Sequence, residues 1–566
     1  MTADPDATEA MTAAPAAAPP AAEAVDAPVT APSAADAPAA AATVAASPAG
    51  RRPVSVARGY HAPAAAPPDV EAAEAADPPV TAPPAADAPA ADAPVAAAPA
   101  ADAPAADAPV ADAPAAAATV AAGPAGRPPV SVARGYRFEL VKLVSQWRVR
   151  LLVLVCWLAP GLFVAAVSMQ STLPSDTLFG RWMHGTGWAG PLVVLGFAGS
   201  WALPLLTSLV AGDVFAAEDR LGTWRHLLVA VRSHRRIFAA KALASLTVIL
   251  LLVVGLTASG IAGGLAAVGD HPLVGLDGHL LSPSAAAGHV LLAWACALAP
   301  TLALAAIGLL GSVVLGRSPM GLLLPALVAL AMQLAQLLPL PVAVRLALPG
   351  YAFIAWNGLF TAPAQLAPLL IGVAVSLVWA VTATVLAYLL FVRRDFTNLT
   401  GDGSGRRALT AGLLPLAGLL AATCAVIALA TPSTGSGIDQ DKVQRSVATA
   451  FGHLYRMQTA QLNRPAVTEA QLRVGAACDR SDGHVAAKGA GNDWRCVVTW
   501  HLPGVQAPGT AIYQLDVTSD GRFVADGDGP KDVNGYFLVR SATGDAPNPL
   551  WQFDGTVELL HTTRKG

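Results

Sequence analysis

Residues 187–268 read GWAGPLVVLGFAGSWALPLLTSLV, then AGDVFAAEDRLGTWRHLLVAVRSHRR, then IFAAKALASLTVILLLVVGLTASGIAGGLAAV. The first and third pieces are apolar runs of at least the length an α-helix needs to cross the hydrocarbon of a bilayer, about twenty residues. The middle piece is short, charged and patterned. Glu218, Asp219 and Arg220 precede Leu221, Trp224, Leu227, Leu228 and Val231 at three- and four-residue spacings. That spacing predicts one short amphipathic helix, with acid at its N-terminal end and arginines beyond its C-terminal end, as the helix dipole favours. Two spans joined by a structured charged loop make this a membrane protein.

The pattern extends outward from that unit. Apolar runs of similar length stand at 151–169, 290–315, 322–344, 366–392 and 408–430, for seven predicted spans in all. Only 13% of the 566 residues are charged and the mean hydropathy is +0.52, too apolar for a soluble globule of ordinary composition. The predicted fold class is an all-α polytopic membrane protein, a six-span core plus a seventh span, with a small extracytoplasmic α+β domain and a disordered N-terminal tail. Pro204, Pro300, Pro325 and Pro368 fall within spans and can kink them. Residues 345–365 are apolar but broken by Pro349 and Gly350, which suits a dip into the outer leaflet and back.

Arginine placement orients the spans, because basic loops stay cytoplasmic. Arg148 and Arg150 precede the first span. Arg220, Arg225, Arg232, Arg235, Arg236 and Lys241 lie between the second and third, Arg317 between the fourth and fifth, and Arg393, Arg394, Arg406 and Arg407 between the sixth and seventh. The intervening loops hold only Arg181 and Arg345. The N-terminus is therefore expected in the cytoplasm of a plasma-membrane protein and everything after residue 430 outside, with Trp182, Trp188 and Trp356 near the outer interface. The net charge of −3 arises from acids in the tail and the C-terminal region, a distribution that encodes topology and not nucleic-acid binding.

Residues 1–133 form the predicted tail, rich in Ala, Pro and Asp, unable to bury enough apolar surface to offset its backbone entropy. It begins on an acidic stretch with no secretory leader pattern, so insertion is expected to begin at an internal span. AATVAASPAGRRPVSVARGY, ending at Tyr60, recurs as AATVAAGPAGRPPVSVARGY, ending at Tyr136. Residues 134–150 follow as a predicted interfacial helix, Phe138, Leu140, Leu143, Val144 and Trp147 forming its apolar side and Glu139, Lys142, Arg148 and Arg150 its polar side.

Residues 437–566 read as the α+β domain, with a helix near 441–462, strands at WRCVVTW, AIYQLDV, RFVAD, GYFLVR and GTVELL, and a tight turn at Ser519-Asp520-Gly521-Arg522. Cys478 and Cys496 are the two cysteines outside apolar runs, a pair that suggests a disulfide in an extracytoplasmic domain. Cys156, Cys296 and Cys424 lie inside spans as packing. His271, His279 and His289, near Asp270 and Asp277, fit no standard ligand spacing and read as solvated loop residues, so no metal is expected. Gln333 and Gln336 read chiefly as helix–helix contacts. Few ionisable groups lie in mid-span, which argues against a proton- or sodium-coupled carrier. No GxxxxGK[ST] stretch occurs, so no enzymatic nucleotide chemistry is expected in this chain.

The loop resembles that of the permease subunits of type-2 ABC transporters, in which an acid, a Gly-Thr pair, a Leu-Leu pair, a basic cluster and a Lys opening the next helix occur in this order. Glu218, Gly222-Thr223, Leu227-Leu228, Arg235-Arg236 and Lys241 match. The resemblance covers roughly 138–392 within a six-span core at 151–395, beside a seventh helix at 408–430. It implies that Glu218, Arg220, Gly222, Thr223, Trp224, Arg225, Leu227, Leu228, Arg235, Arg236 and Lys241 couple to a separate ATPase subunit. It further implies that ATP and Mg bind to that partner and none to this chain, that a second permease subunit completes the path, and that a hydrophobic or amphiphilic substrate moves outward through the bilayer. No catalytic residue is assigned here. The seventh span and C-terminal domain depart from the family pattern and support a rival reading, a non-transport membrane scaffold or envelope sensor signalling through that domain.

Overall fold

The apolar runs form helices whose lengths match the bilayer. The computed structural model describes residues 131–170, 178–231, 233–316, 320–338, 340–394, 396, 404–431, 437–480, 493–542 and 544–560. The Ala/Pro tail with the first copy of its repeat, Arg232 and Arg317 lie outside the described residues. The helices are α1 Val132–Ser145, α2 Trp147–Ser168, α3 Leu178–Gly185, α4 Ala189–Ala211, α5 Ala216–Leu221, α6 Trp224–Val231, α7 His234–Ala267, α8 Pro283–Leu315, α9 Met320–Leu337, α10 Val342–Ala347, α11 Leu366–Val392 and α12 Gly405–Ala430. Six of them, α2, α4, α7, α8, α11 and α12, are long and apolar enough to cross a membrane.

The fifth predicted run departs from expectation. Its helix α9 stops at Leu337, and Pro341 opens the separate short helix α10. Two 3₁₀ turns follow, Pro349–Phe353 and Ala355–Phe360, with Tyr351, Phe353, Trp356 and Phe360 all buried. This is the broken apolar segment, and its aromatics face the bundle. Trp182 is also interior, its indole donating to the Val274 carbonyl, while Trp188 donates to Asp270. Gln333 donates to the carbonyl of Gly199, inside a π-helical turn of α4, a contact between helices. Arg345 is 1% exposed, its guanidinium near the Tyr351 ring and without a hydrogen bond among the described residues.

Small residues bring three spans together. A Cβ on Gly263 would lie 2.4 Å from the Gly161 Cα, and one on Gly264 would lie 2.1 Å from the Gly187 carbonyl oxygen. Helix α7 therefore packs against α2 and the start of α4 at backbone contact, and Ser259 accepts a hydrogen bond from the Gly161 amide across that seam. Helices α8 and α11 lie against each other, and Ala293 and Ala297 of the first and Ala383 and Ala387 of the second are all buried. Helix α12 stays peripheral, burying Leu416 and Ile427 while leaving Val426 and Leu429 exposed.

The loop before α8 carries a short hairpin, β1 Leu273–Val274 paired with β2 Leu280–Leu281. In the C-terminal region a long helix lies on a sheet. Helix α13, Gln440–Gln461, starts at an Asp439 cap and buries Val443, Val447, Ala450, Phe451 and Leu454 along one stripe. That stripe meets an antiparallel sheet of β3 Gly475–Arg480, β4 Asp493–Trp500, β5 Gly509–Val517, β6 Arg522–Gly527 and β9 Gln552–Thr556, in that order. Alternate residues Trp494, Cys496 and Val498, then Tyr513, Leu515 and Val517, point into the shared core. A separate hairpin pairs β7 Leu538–Ser541 with β8 Gly544–Pro547. Cys478 and Cys496 stand opposite each other in β3 and β4 and are disulfide-bonded. The turn at Ser519–Arg522 forms as expected, with Gly521 at φ +88°.

Candidate functional site at the loop between the second and third spans

The loop folds as two helices, not one. Gly222 ends α5 at φ +65°, a left-handed conformation that glycine adopts without steric cost. The turn lets Thr223 donate its hydroxyl back to Glu218 and accept from the Leu227 amide into α6. The Gly-Thr pair is thus the local cause of a bend. Because of the bend the predicted apolar face splits: Trp224 is buried, Leu227 and Leu228 are half-buried, and Leu221 is 68% exposed.

The loop's acids point inward, each onto a cation from a different part of the chain. Lys241, on α7, donates to Glu218 at 2.7 Å and to Glu139 of α1 at 3.0 Å, and all three are buried. Lys142 of α1 also donates to Glu218. Asp219 accepts from both terminal nitrogens of Arg394, just past α11, at 2.8 and 3.0 Å, and from the Trp224 indole at 2.7 Å. Asp213 pairs with Arg148 at the start of α2 and with Arg220. Ser312, near the end of α8, accepts the Phe215 and Ala216 amides at 3.0 Å each, supplying from another helix the cap that α5 lacks locally.

Burial pushes the Glu218 carboxyl up, but the Lys241 charge and hydrogen bonds from Lys142, Lys241 and Thr223 outweigh it and hold the carboxyl down at about 2. Around this polar centre stand Phe215, Trp224, Phe238 and Phe391, with Phe215 5.0 Å from Phe391 and Trp224 5.5 Å from it between ring centres. Beside these rings the Lys241–Glu218 and Arg394–Asp219 side chains are buried, while Lys142, Arg148 and Arg220 reach the surface. The loop is thereby tied to α1, α2, α7, α8 and the end of α11.

Of the sequence-predicted residues, the structure brings Glu218, Thr223, Trp224 and Lys241 into this centre and leaves Arg225 and Arg235 exposed. Arg236 is partly buried at the start of α7. Arg220 is on the rim, held by Asp213. Glu139, placed by its sequence on the polar side of α1, is buried. Sequence reasoning missed Asp213, Asp219 and Arg394 as partners, since Asp219 and Arg394 lie 175 residues apart. The only signal was the density of acid beside apolar runs.

At the opposite end of the bundle a second polar cluster joins the C-terminal domain to the loop before α8. Asp277 is buried, bonded to the His279 ring and accepting the Ala362 amide at 2.7 Å. His453 of α13 donates Nδ1–H to the Asp277 carbonyl at 3.1 Å and has its Nε2 3.3 Å from Glu469. Asp277 and His279 are therefore not solvated loop residues; they are the contact point for α13. Among the described residues no group of three or more His, Cys, Asp or Glu side chains is arranged to hold a metal ion. No family model, curated protein or solved structure matches this chain.

Proposed function

We propose that this chain is the membrane-spanning permease subunit of an ATP-driven exporter of the type-2 ABC class. It works with a separate ATPase subunit that binds ATP and Mg and with a second permease subunit, moving a hydrophobic or amphiphilic substrate out of the cytoplasm. In this reading the N-terminus and the α5–α6 loop are cytoplasmic in the plasma membrane, α9 counts as a fifth of seven crossings, and the C-terminal domain is extracytoplasmic. One observation supports it above the rest. The loop's inner face is locked by ion pairs to α1 and to the ends of three spans, α2, α7 and α11, while its outer face offers Leu221, Arg225, His226 and Val229 to solvent. A push on that outer face reaches the bundle with little slack, which is what force transmission from an ATPase requires.

The test is purification of the tagged chain in mild detergent from its native host, with identification of co-purifying proteins and assay of ATP hydrolysis. Arg225→Glu and Val229→Asp variants are run beside the wild type. An ATPase subunit retained by the wild type and lost from equally well-inserted variants supports the reading. Absence of any ATPase, under conditions that preserve a control transporter complex, overturns it.

The sensor reading draws support from the links between the C-terminal domain and the bundle: Arg181 to Asp554 at 3.0 Å, Ser519 to the Gln336 carbonyl at 2.7 Å, and His453 to Asp277. Under it, removing residues 437–566 abolishes output while the Arg225 and Val229 variants leave output intact.

A further inference from the structure

Between α1, the start of α2 and the end of α4 lies a cleft of about 150 Å³. Its walls are apolar, from Leu143, Leu151, Leu152 and Leu209. Its rim is charged, and the charges are layered by depth. The Asp213 and Glu218 side chains are 4% and 1% exposed, whereas their partners Arg148 and Lys142 are 43% and 32% exposed. In both pairs the cation is the more exposed member, and the remaining charged lining residues, Lys241 and Glu139, are buried and paired with each other, so what enters meets positive charge first. Lys142 has three N–H donors and Arg148 five, more than their carboxylate partners use. Beside the cleft, Phe138 and Val141 of α1 and Trp147 at the start of α2 are 59%, 61% and 75% exposed on the outside of the bundle, the placement expected of an interfacial helix and its junction with a span. Leu151 and Leu209, beside the cleft mouth, are exposed on the faces of two spans.

We infer that this cleft binds the phosphate of one anionic phospholipid. The phosphate sits between Lys142 and Arg148, and the acyl chains run down the apolar surface of α2 and α4. The placement in the inner leaflet rests on the orientation given with the proposed function; the binding itself does not. Both cations are also the partners of the loop's buried acids, so the lipid bears on the loop through α1 and α2. A free phosphate shares the charge chemistry but not the apolar wall.

The test uses the purified full-length chain, without any ATPase, so its outcome is independent of whether a partner exists. Native mass spectrometry titrates the chain with phosphatidylglycerol, phosphatidylcholine or inorganic phosphate and reads the affinity of the first bound molecule. Phosphatidylglycerol is expected to bind on the order of tenfold more tightly than phosphatidylcholine, whose own ammonium is repelled by the two cations that hold the phosphate, and inorganic phosphate is expected not to compete. Lys142→Gln with Arg148→Gln removes the charges but uncovers buried acids. Ala217→Leu is therefore paired with it, filling the cleft while keeping every ion pair. Both variants are expected to lower phosphatidylglycerol binding to the phosphatidylcholine level. Equal affinity for the two lipids, undiminished binding by Ala217→Leu, or full displacement by inorganic phosphate overturns the inference.

Discussion

Lys241 sits between Glu139 and Glu218, 3.0 Å from one and 2.7 Å from the other, with all three side chains inside the protein. One cation from α7 thus joins the helix before the first span to the loop after the second. Removing it leaves Glu139 without its cation and Glu218 with Lys142 alone, both carboxylates being buried. Lys241→Met is expected to destabilise by about 3–5 kcal/mol, read as a fall in thermal midpoint in detergent, and adding Glu139→Gln with Glu218→Gln should recover much of the loss. A Lys241→Met protein as stable as the wild type would show that the pairing carries no weight.

Gly222 is in open space, so a Cβ there meets nothing and only its backbone conformation resists substitution. Gly222→Ala is expected to cost about 1 kcal/mol and Gly222→Asn less, since asparagine tolerates the left-handed region. Hydrogen exchange of residues 216–231 reads this directly: faster exchange in the alanine variant, near wild-type exchange in the asparagine variant.

His453 presents both ring nitrogens to oxygen, the Asp277 carbonyl and carboxylate on one side and Glu469 on the other. Burial pulls its pKa down, but the hydrogen bond and charge of Asp277 and the charge of Glu469 outweigh burial and raise it. The other groups facing it are His279, whose ring is 6.1 Å away, and Arg456, which pairs with Glu469. A raised pKa means that His453 stabilises the junction fully below its unfolded value of about 6.5 and that this contribution is lost as pH rises through the folded value. Protection of residues 270–281 against hydrogen exchange, corrected for intrinsic rate, should therefore fall as pH rises above about 6.5. His453→Gln should flatten that dependence; an unchanged profile in the variant would remove His453 from the account.

The Cys478–Cys496 bond closes a loop of sequence separation 18 across β3 and β4. A loop of that size corresponds to about 3 kcal/mol of stabilisation on the chain-entropy account. Replacing both cysteines by alanine should lower the denaturant midpoint of the C-terminal domain, followed by the near-ultraviolet signal of its buried Trp494, while the membrane helices keep their far-ultraviolet signal. Equal loss in both signals would mean that the two regions unfold as one unit.

The seam between α2, α4 and α7 makes a sharper demand. Gly264→Ala places a methyl against the Gly187 carbonyl, and neither backbone can yield without moving a span. A loss of folded protein recovered from membranes is expected, larger than for an alanine at exposed Gly418, which meets nothing within 4 Å. Equal yields from the two variants would show that the close approach is dispensable.

The membrane class, the run positions and the α+β character of the C-terminal region were legible in the sequence because each depends on local periodicity and length. The helix α13 stripe and the alternation in β4 and β5 are such patterns. Strand β3 was missed because GAACDR has no β-branched or aromatic residue and is held by its partner and by the disulfide. Helix α9 ended early because hydropathy cannot see that Pro341 opens a new helix packed against its neighbours.

The loop shows most plainly where sequence stops. Its acids, the Gly-Thr pair and the leucines could all be read in order along the chain, and the amphipathic spacing was visible without any structure, but the bend at Gly222 that divides the expected helix in two was not. That Glu218 and Asp219 face inward, that Glu139 is their neighbour, and that Arg394 closes the site could not be read. Charge burial depends on partners brought together from α1, α7 and α11, and it is tolerated only because those partners arrive. Sequence determined which segments are long and apolar enough to cross a bilayer, through the cost of exposing apolar surface to water. Tertiary structure alone decided which charges left the water with them.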